Sequence, residues 1–325
     1  MRAVLCRSFD GPGSLSLAEI DPPSPGPGEV LVDVHASAAS FMDTLMVSGK
    51  YQMRPTLPVV PGSDAAGTVS ALGAGVARLQ IGDRVACGHW FGAYAQQMVA
   101  TASATLRLPD NVDFTTAAAV RYAYGTAYYG LVHCARLQAG ETVFISGAAG
   151  GVGLAAVDLA HHLGTRVIAG VGSAEKAAIA LDRGTDHVVV YGTENLHDQV
   201  KRLTAGQGVD VCFDTVGGEI FGTMTRLMNW GGRMLPIGFT SGSIPSVPMN
   251  LPMLKNYAIV GSFWGAWTQH FPEDSARADE QIFQWISGGH LRPHIDQVIT
   301  LERFAEALRR VEQRQVQGRI VLSLR

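Results

Sequence analysis

The chain has 325 residues, 47 % hydrophobic and 16 % charged, with 25 basic side chains against 28 acidic ones and a net charge of −3. That is about two domains' worth of sequence, with apolar side chains enough for sizeable cores. No basic block offers nucleic acid a footprint, and no apolar run approaches the ~18 residues of a membrane span.

The start, Met1-Arg2-Ala3-Val4, lacks the apolar segment of a secretory signal. The four cysteines, Cys6, Cys87, Cys134 and Cys212, form no C-x-x-C pair. Free thiols in a reducing cytoplasm are therefore expected. Residues 1–6, 15–20 and 30–35 read as strands, the last two separated by the proline-rich connector Asp21 to Gly28. Further strands are predicted within 59–72 and at 84–86, 94–100 and 105–108. Many short strands with Gly/Pro punctuation predict a barrel-like β domain.

From Asp113 the pattern changes. Helices are predicted at 114–120 and 126–135. Strands at 142–146, 165–171, 186–191, 209–214 and 232–237 then alternate with helices near 152–163, 174–182, 195–204 and 219–228. A sixth strand is expected at 257–262. This alternation predicts an α/β domain with a doubly wound parallel sheet. Helices at 272–286 and 301–314 and a strand at 318–324 no longer extend that pattern, so they are expected to rejoin the β domain. The expected domains are 1–122 with 263–325, and 123–262.

The most informative stretch is Ser146-Gly147-Ala148-Ala149-Gly150-Gly151-Val152-Gly153, set between a predicted strand and an alanine-rich helix. A glycine turn opening a helix is an anion site: its first N–H groups lack partners, the dipole favours negative charge, and glycine lets a pyrophosphate approach. The G-x-G-x-x-G fingerprint fits loosely, as Ala148, Gly150 and Gly153, or as Gly151, Gly153 and Ala156. A turn that only packs a helix on a sheet would look similar, but the strand–turn–helix–strand context favours a dinucleotide.

The second strand ends in Gly170-Val171-Gly172-Ser173 without the Asp or Glu that binds a ribose 2′-hydroxyl. Ser173, Lys176 and Tyr191 instead offer a hydroxyl, an ammonium and a phenol, which suit a 2′-phosphate. NADP(H) is the expected cofactor. Glu175 argues the other way unless it points to solvent, and Lys176 alone also suits a solvated helix charge.

Nearly the whole chain resembles the medium-chain dehydrogenase/reductases, and within them the zinc-free, ζ-crystallin-like NADPH:quinone oxidoreductases. The resemblance rests on Ser40-Phe41-Met42-Asp43, Ser48-Gly49-Lys50-Tyr51, Pro61 to Gly67, Val76, Gly82 to Val85, Gly125-Thr126-Ala127 and Ala148 to Gly153. It continues through Gly172 to Lys176, Asp214 to Gly218, Phe263-Trp264-Gly265 and Gly318 to Leu322. It implies a GroES-like β-barrel catalytic domain and a Rossmann NADP(H)-binding domain. Zinc-dependent relatives carry a cysteine near Ala39–Ser40 and a His-Glu pair where Ser63-Asp64 stand, so no metal is expected. Cys87 and His89 are two potential ligands, too few for a site by themselves.

What the resemblance implies for the site is as follows. Ala149, Gly150, Gly151 and Val152 lie at the pyrophosphate. Thr126, Phe239, Phe263 and Trp264 lie toward the nicotinamide half, although Phe263 and Trp264 also suit plain packing. Ser40 stands where the family usually has asparagine, near nicotinamide and substrate. A serine can still donate a hydrogen bond but lacks the amide fork. Tyr51 is a second candidate, as a donor to a substrate oxygen, and Asp43 a third. Tyr51 equally suits a surface aromatic, and Asp43 a cap on a helix starting near Thr44. The implied activity is hydride transfer from NADPH to a quinone in a cytoplasmic homodimer paired through 257–262. Reduction of an activated C=C bond in an enone, enal or acrylate-type acid is the alternative enzyme. A nucleotide-binding structural or RNA-binding crystallin-like protein is the alternative of another class.

Overall fold

The computed structural model describes every residue except His89 and Glu194. The chain forms two compact units. Unit 1 comprises Met1–Tyr122, His270–Gly289 and Pro293–Arg325; unit 2 comprises Ala123–Gln269 and His290–Arg292. Residues 263–269, expected in the first domain, thus pack with unit 2.

The chain begins with the antiparallel pair β1 (Arg2–Leu5) and β2 (Ser16–Glu19). β3 (Glu29–Ala39), α1 (Phe41–Val47), β4 (Asp64–Leu72), β5 (Arg84–Gly88), β6 (Gln97–Thr101) and β7 (Thr105–Arg107) follow. The chain passes into unit 2 within α2 (Phe114–Tyr128). There it forms β8 (Thr142–Ser146), α3 (Gly151–His162), β9 (Arg166–Val171), α4 (Glu175–Asp182), β10 (His187–Val190) and α5 (Leu196–Leu203). β11 (Val209–Asp214), α6 (Gly218–Met224), β12 (Met228–Pro236), α7 (Asn250–Lys255), β13 (Ala258–Ile259) and α8 (Trp264–His270) continue it. α9 (Pro272–Ser287), β14 (Ile295–Thr300), α10 (Phe304–Glu312) and β15 (Arg319–Ser323) complete the chain.

In unit 1 the sheet order is β14-β15-β3-β4-β5-β7, with β6 also on β3. The long strand β3 holds β4 antiparallel along its length and divides its partners by halves: Glu29–Asp33 pairs with β6, Ala36–Ala39 with β15. Val30, Val32 and Val34, spaced by two, are fully buried, as the strand period requires. They share a core with Val69, Val85, Met98, Ile320 and Leu322 and with Phe304, Ala307 and Leu308 of α10, whose three- and four-residue spacing makes one apolar stripe. Two buried ion pairs sit within this unit among its described residues: Arg121 Nε to Asp279 Oδ2 at 2.9 Å, and Arg319 Nη2 to Asp64 Oδ2 at 2.9 Å.

Unit 2 is a parallel sheet in the order β10-β9-β8-β11-β12-β13. One register row runs His187, Ile168, Phe144, Cys212, Met234, Ile259 across all six strands. Its middle four members are fully buried and hold the core between sheet and helices. The order reverses between β8 and β11, and ligands of such sheets bind at that switch point, outside the carboxyl ends of the strands.

Several expected elements differ. The two helices expected at 114–120 and 126–135 are one helix, α2, followed by a π-helical turn, Tyr129–Cys134. Gly125 does not break it; a methyl there would meet the Trp264 indole at 2.7 Å. The sixth strand is only two residues long, and α6 stops at Met224 because β12 already begins at Met228. β14 was not anticipated: Ile-Asp-Gln-Val-Ile-Thr is half polar, and it lies at the sheet's end, parallel to β15. Among the described residues no helix is long and apolar enough to cross a membrane.

Candidate functional site

In unit 2 the turn between β8 and α3 is built by close approach. Gly147 takes φ 59, and its carbonyl accepts the Gly150 N–H at 2.9 Å. A methyl on Gly153 would run into that same carbonyl oxygen, so only glycine lets the helix seat so close. Gly150 is the N-cap of α3 and contributes no side-chain cap. The first N–H groups of an α-helix, here those of Gly151, Val152 and Gly153, have no acceptor within the helix. With Ala149 alongside, the arrangement fits a pyrophosphate through backbone donors and the helix dipole.

The switch point beside it is held by a network that the sequence alone did not disclose. Ser146 Oγ donates to the buried Asp214 carboxylate and accepts from the Thr215 N–H at 2.8 Å. Asp214 also accepts from the amides of Gly217, at 2.8 Å, and Val216, at 3.2 Å. Burial pushes the Asp214 carboxyl up, against these hydrogen bonds. The Asp-Thr-Val-Gly-Gly run is the signal: a buried acid followed by a turn through two positive-φ glycines, with the Val216 and Gly217 amides returning to it.

Past β9, Gly172 is exposed, and a methyl built on it would touch nothing within 4 Å. Nothing among the described residues requires glycine there, whereas a ligand lying against the backbone would. Ser173 and Lys176 share the turn into α4, the Lys176 N–H donating to the Ser173 carbonyl at 3.1 Å. Both are half-buried, while Glu175 is exposed. Tyr191 is placed differently from expectation. Its hydroxyl accepts the Gly147 N–H at 3.1 Å, and its ring fills the space that a side chain at Gly170 would need. It therefore braces the glycine turn from beneath the sheet's end. Thr126 is buried on α2, one residue from the Gly125–Trp264 contact. Phe239 covers Gly217, whose added methyl would lie 2.9 Å from its ring, and both Phe239 and Phe263 remain exposed.

In unit 1, Ser40 and Asp43 come together at the start of α1, with Tyr51 on the segment just past that helix. Ser40 is the N-cap of α1 and Asp43 its third residue, forming a capping box. Ser40 Oγ donates to Asp43 Oδ2 at 2.7 Å and accepts the Asp43 N–H at 3.2 Å. Ser40 is buried, and its hydroxyl proton goes to Asp43. The cap expected of Asp43 near Thr44 falls to Ser40 instead. Asp43 Oδ2 further accepts from the Ser40 N–H and from Tyr94 OH, each at 2.8 Å. Gly62 leaves room for the Tyr94 ring, which explains part of the Pro61–Gly67 pattern. Asp43 is fully buried, and burial pushes its carboxyl up.

Tyr51 lies just past α1, half-buried, and no hydrogen bond to its hydroxyl is formed among the described residues. Burial, with the Asp43 charge adding to it, pushes its phenol up to about 12. It is thus a protonated donor over the whole neutral range. His89 lies outside the described residues. Cys87 is fully buried, and burial pushes its thiol up to about 12. Among the described residues no three His, Cys, Asp or Glu side chains gather into a metal-binding group.

A family profile described as alcohol dehydrogenase GroES-like domain matches residues 26–110, and one described as zinc-binding dehydrogenase matches 151–280. A mouse protein named quinone oxidoreductase-like protein 2 is 38 % identical, covering 100 % of this chain and 92 % of its own length. The crystal structure of Escherichia coli quinone oxidoreductase complexed with NADPH superposes with a TM-score of 0.92 at 29 % identity, and a mycobacterial protein complexed with NADPH with 0.94 at 32 %. Both alignments cover 100 % of each chain.

Proposed function

Because the chain belongs to the quinone oxidoreductase family of the medium-chain dehydrogenase/reductases, we propose that it reduces quinones with NADPH. The observation that carries the cofactor half is the glycine turn, where Gly153 can only be glycine and the first turn of α3 presents uncapped amides. Ala149, Gly150, Gly151 and Val152 would hold the pyrophosphate. Gly172, Ser173 and Lys176 would hold the 2′-phosphate, with Tyr191 keeping the turn in shape. Thr126, Phe239, Phe263 and Trp264 would line the nicotinamide half. NADPH, when bound, supplies a hydride.

A quinone that accepts a hydride becomes a hydroquinone anion and needs one proton on oxygen. Tyr51 is suited to hydrogen-bond that oxygen while solvent supplies the proton: burial keeps it a neutral phenol, and it has no hydrogen bond among the described residues. Asp43, Ser40 and Tyr94 position the segment that carries it. Tyr51→Phe should lower kcat about 100-fold while leaving the KM for NADPH within about twofold. An unchanged kcat would remove Tyr51 from the mechanism.

The test of the function follows NADPH absorbance with 1,4-benzoquinone and 9,10-phenanthrenequinone, then with an alkenal and an acrylate. Turnover with quinones supports the proposal. Turnover with alkenes alone reverses it in favour of C=C reduction, and NADPH binding without any turnover favours a non-catalytic nucleotide-binding role. The described cysteines are all free, in keeping with a cytoplasmic setting.

The protein is further proposed to be a homodimer. β13 ends the sheet of unit 2, and α7 beside it exposes Met253 at 72 % and Leu254 at 63 %, with Met249 at 72 % just before it. Such an apolar edge calls for cover. Light scattering at micromolar concentration should give twice the chain mass; a monomer would refute it.

A further inference from the structure

The buried charged side chains of unit 1, among its described residues, are carboxylates of Asp43, Asp64 and Asp279 and guanidiniums of Arg121 and Arg319. Arg121 is bonded to Asp279, and Arg319 to Asp64. Asp43 is left without a cation of its own. The Ser40 N–H, the Ser40 hydroxyl and the Tyr94 hydroxyl, all neutral donors, converge on its Oδ2. Its Oδ1 is buried and has no hydrogen bond among the described residues, and the same holds for Arg319 Nε.

Both acids lie at one end of β3. Asp64 pairs with Ala38, and α1, which carries Asp43, begins just past Ala39. Ile320, next to Arg319, pairs with Ala39. Gly88 pairs with Asp64, and a methyl on it would meet the Arg121 guanidinium. The other titratable groups that face the two acids are Tyr51, Cys87, Tyr94 and Tyr122, all pushed up by burial and so neutral. The Arg319 guanidinium lies 5.6 Å over the Tyr122 ring. Glu280, beside Asp279, is exposed and pairs with Arg78. With every acid ionised, the cluster would keep one uncompensated negative charge out of water, and taking up a proton removes that cost.

We propose that Asp43 and Asp64 hold one proton between them through the neutral range, sharing the single Arg319. The shared proton is a property of the folded chain, independent of the proposed reduction. Two like charges served by one cation titrate as a pair. Burial pushes both carboxyls up, that of Asp64 to about 7, with Arg319 opposing in each case and the Asp43 charge adding at Asp64. An acid protonated in the folded chain and ionised in the unfolded one contributes stability that is full below its unfolded value of 3.8. That stability is lost as pH rises through the folded value of about 7.

The experiment is urea unfolding of wild type, Asp43→Asn and Asp64→Asn from about pH 5 to pH 8.5. Either variant leaves one acid for one guanidinium and removes the need for the proton. The unfolding constant of wild type divided by that of either variant should therefore rise, by up to about tenfold per pH unit below about pH 7, and level off above it. Histidines and the other acids cancel in the ratio. A ratio independent of pH would overturn the proposal. So would a rise against one variant only, which would mean a lone buried acid.

Infrared spectra of the folded proteins give a second reading that does not depend on unfolding. The carbonyl band of a protonated carboxyl should lose intensity in wild type between about pH 6 and pH 8.5, and lose distinctly less in either variant. A wild-type spectrum without such a loss would overturn the shared proton even if a variant fails to fold. Neither measurement uses NADPH or an acceptor, so both outcomes leave quinone reduction to its own test.

Discussion

Gly153→Ala should destabilise the protein by about 3 kcal/mol and abolish tight NADPH binding. The new methyl would meet the Gly147 carbonyl oxygen, which is backbone and already accepts the Gly150 amide at 2.9 Å. Overpacking against side chains costs about 1–3 kcal/mol, and a rigid backbone obstacle belongs at the upper end of that range. At about 2–4 °C per kcal/mol the melting temperature should fall by roughly 10 °C. The helix can escape only by lifting off the strand, which moves the very amides that would hold the pyrophosphate.

Gly172→Ala gives the contrast. Its methyl would touch nothing in the protein, so melting should be unchanged, yet NADPH affinity should fall about tenfold if a ligand lies there. Calorimetry and NADPH titration on the two variants separate the readings. A Gly172→Ala protein that binds NADPH like wild type would show that the glycine serves neither protein nor ligand.

The second large effect is expected at Lys176. Replacing it with alanine should raise the Kd for NADPH about 30-fold and leave that for NADH within about twofold, as loss of one charge-assisted contact to phosphate implies. Ser173→Ala should add a smaller loss in the same direction. Lys176 is half-buried at the start of α4, and melting curves of the variant separate a loss of fold from a loss of affinity. Equal weakening toward both dinucleotides would mean that the ammonium meets the shared part of the cofactor, and the assignment to the 2′-phosphate would fall.

The doubly wound sheet was legible because its strands are short, apolar and regularly separated by helices; each buried member of the Ile168-Phe144-Cys212-Met234 row lies in an anticipated strand. The glycine turn was legible because backbone constraints act locally. What escaped is long-range. Arg121 and Asp279, 158 residues apart, and Ser146 and Asp214, 68 apart, are polar partners that no periodicity reveals. Gly125 falls between the two helices expected at 114–120 and 126–135, and its reason, the Trp264 indole, lies far along the chain.

Ser40 shows a different limit. Its position was readable by resemblance, but the direction of its hydroxyl was not. Only the capping box shows that the proton faces Asp43, and that Tyr51 is the donor left uncommitted. The Tyr191 hydroxyl is a similar case: a phenol at a strand end suits a phosphate, and here it also accepts the Gly147 N–H of the turn.

The most direct test of the central claim is the coenzyme preference of the wild-type protein, measured as kcat/KM with NADPH and with NADH on one quinone, before and after chelation. The account predicts a preference for NADPH of at least about 30-fold and no response to chelator. A preference for NADH, or activity lost to chelator and regained with zinc, would contradict it.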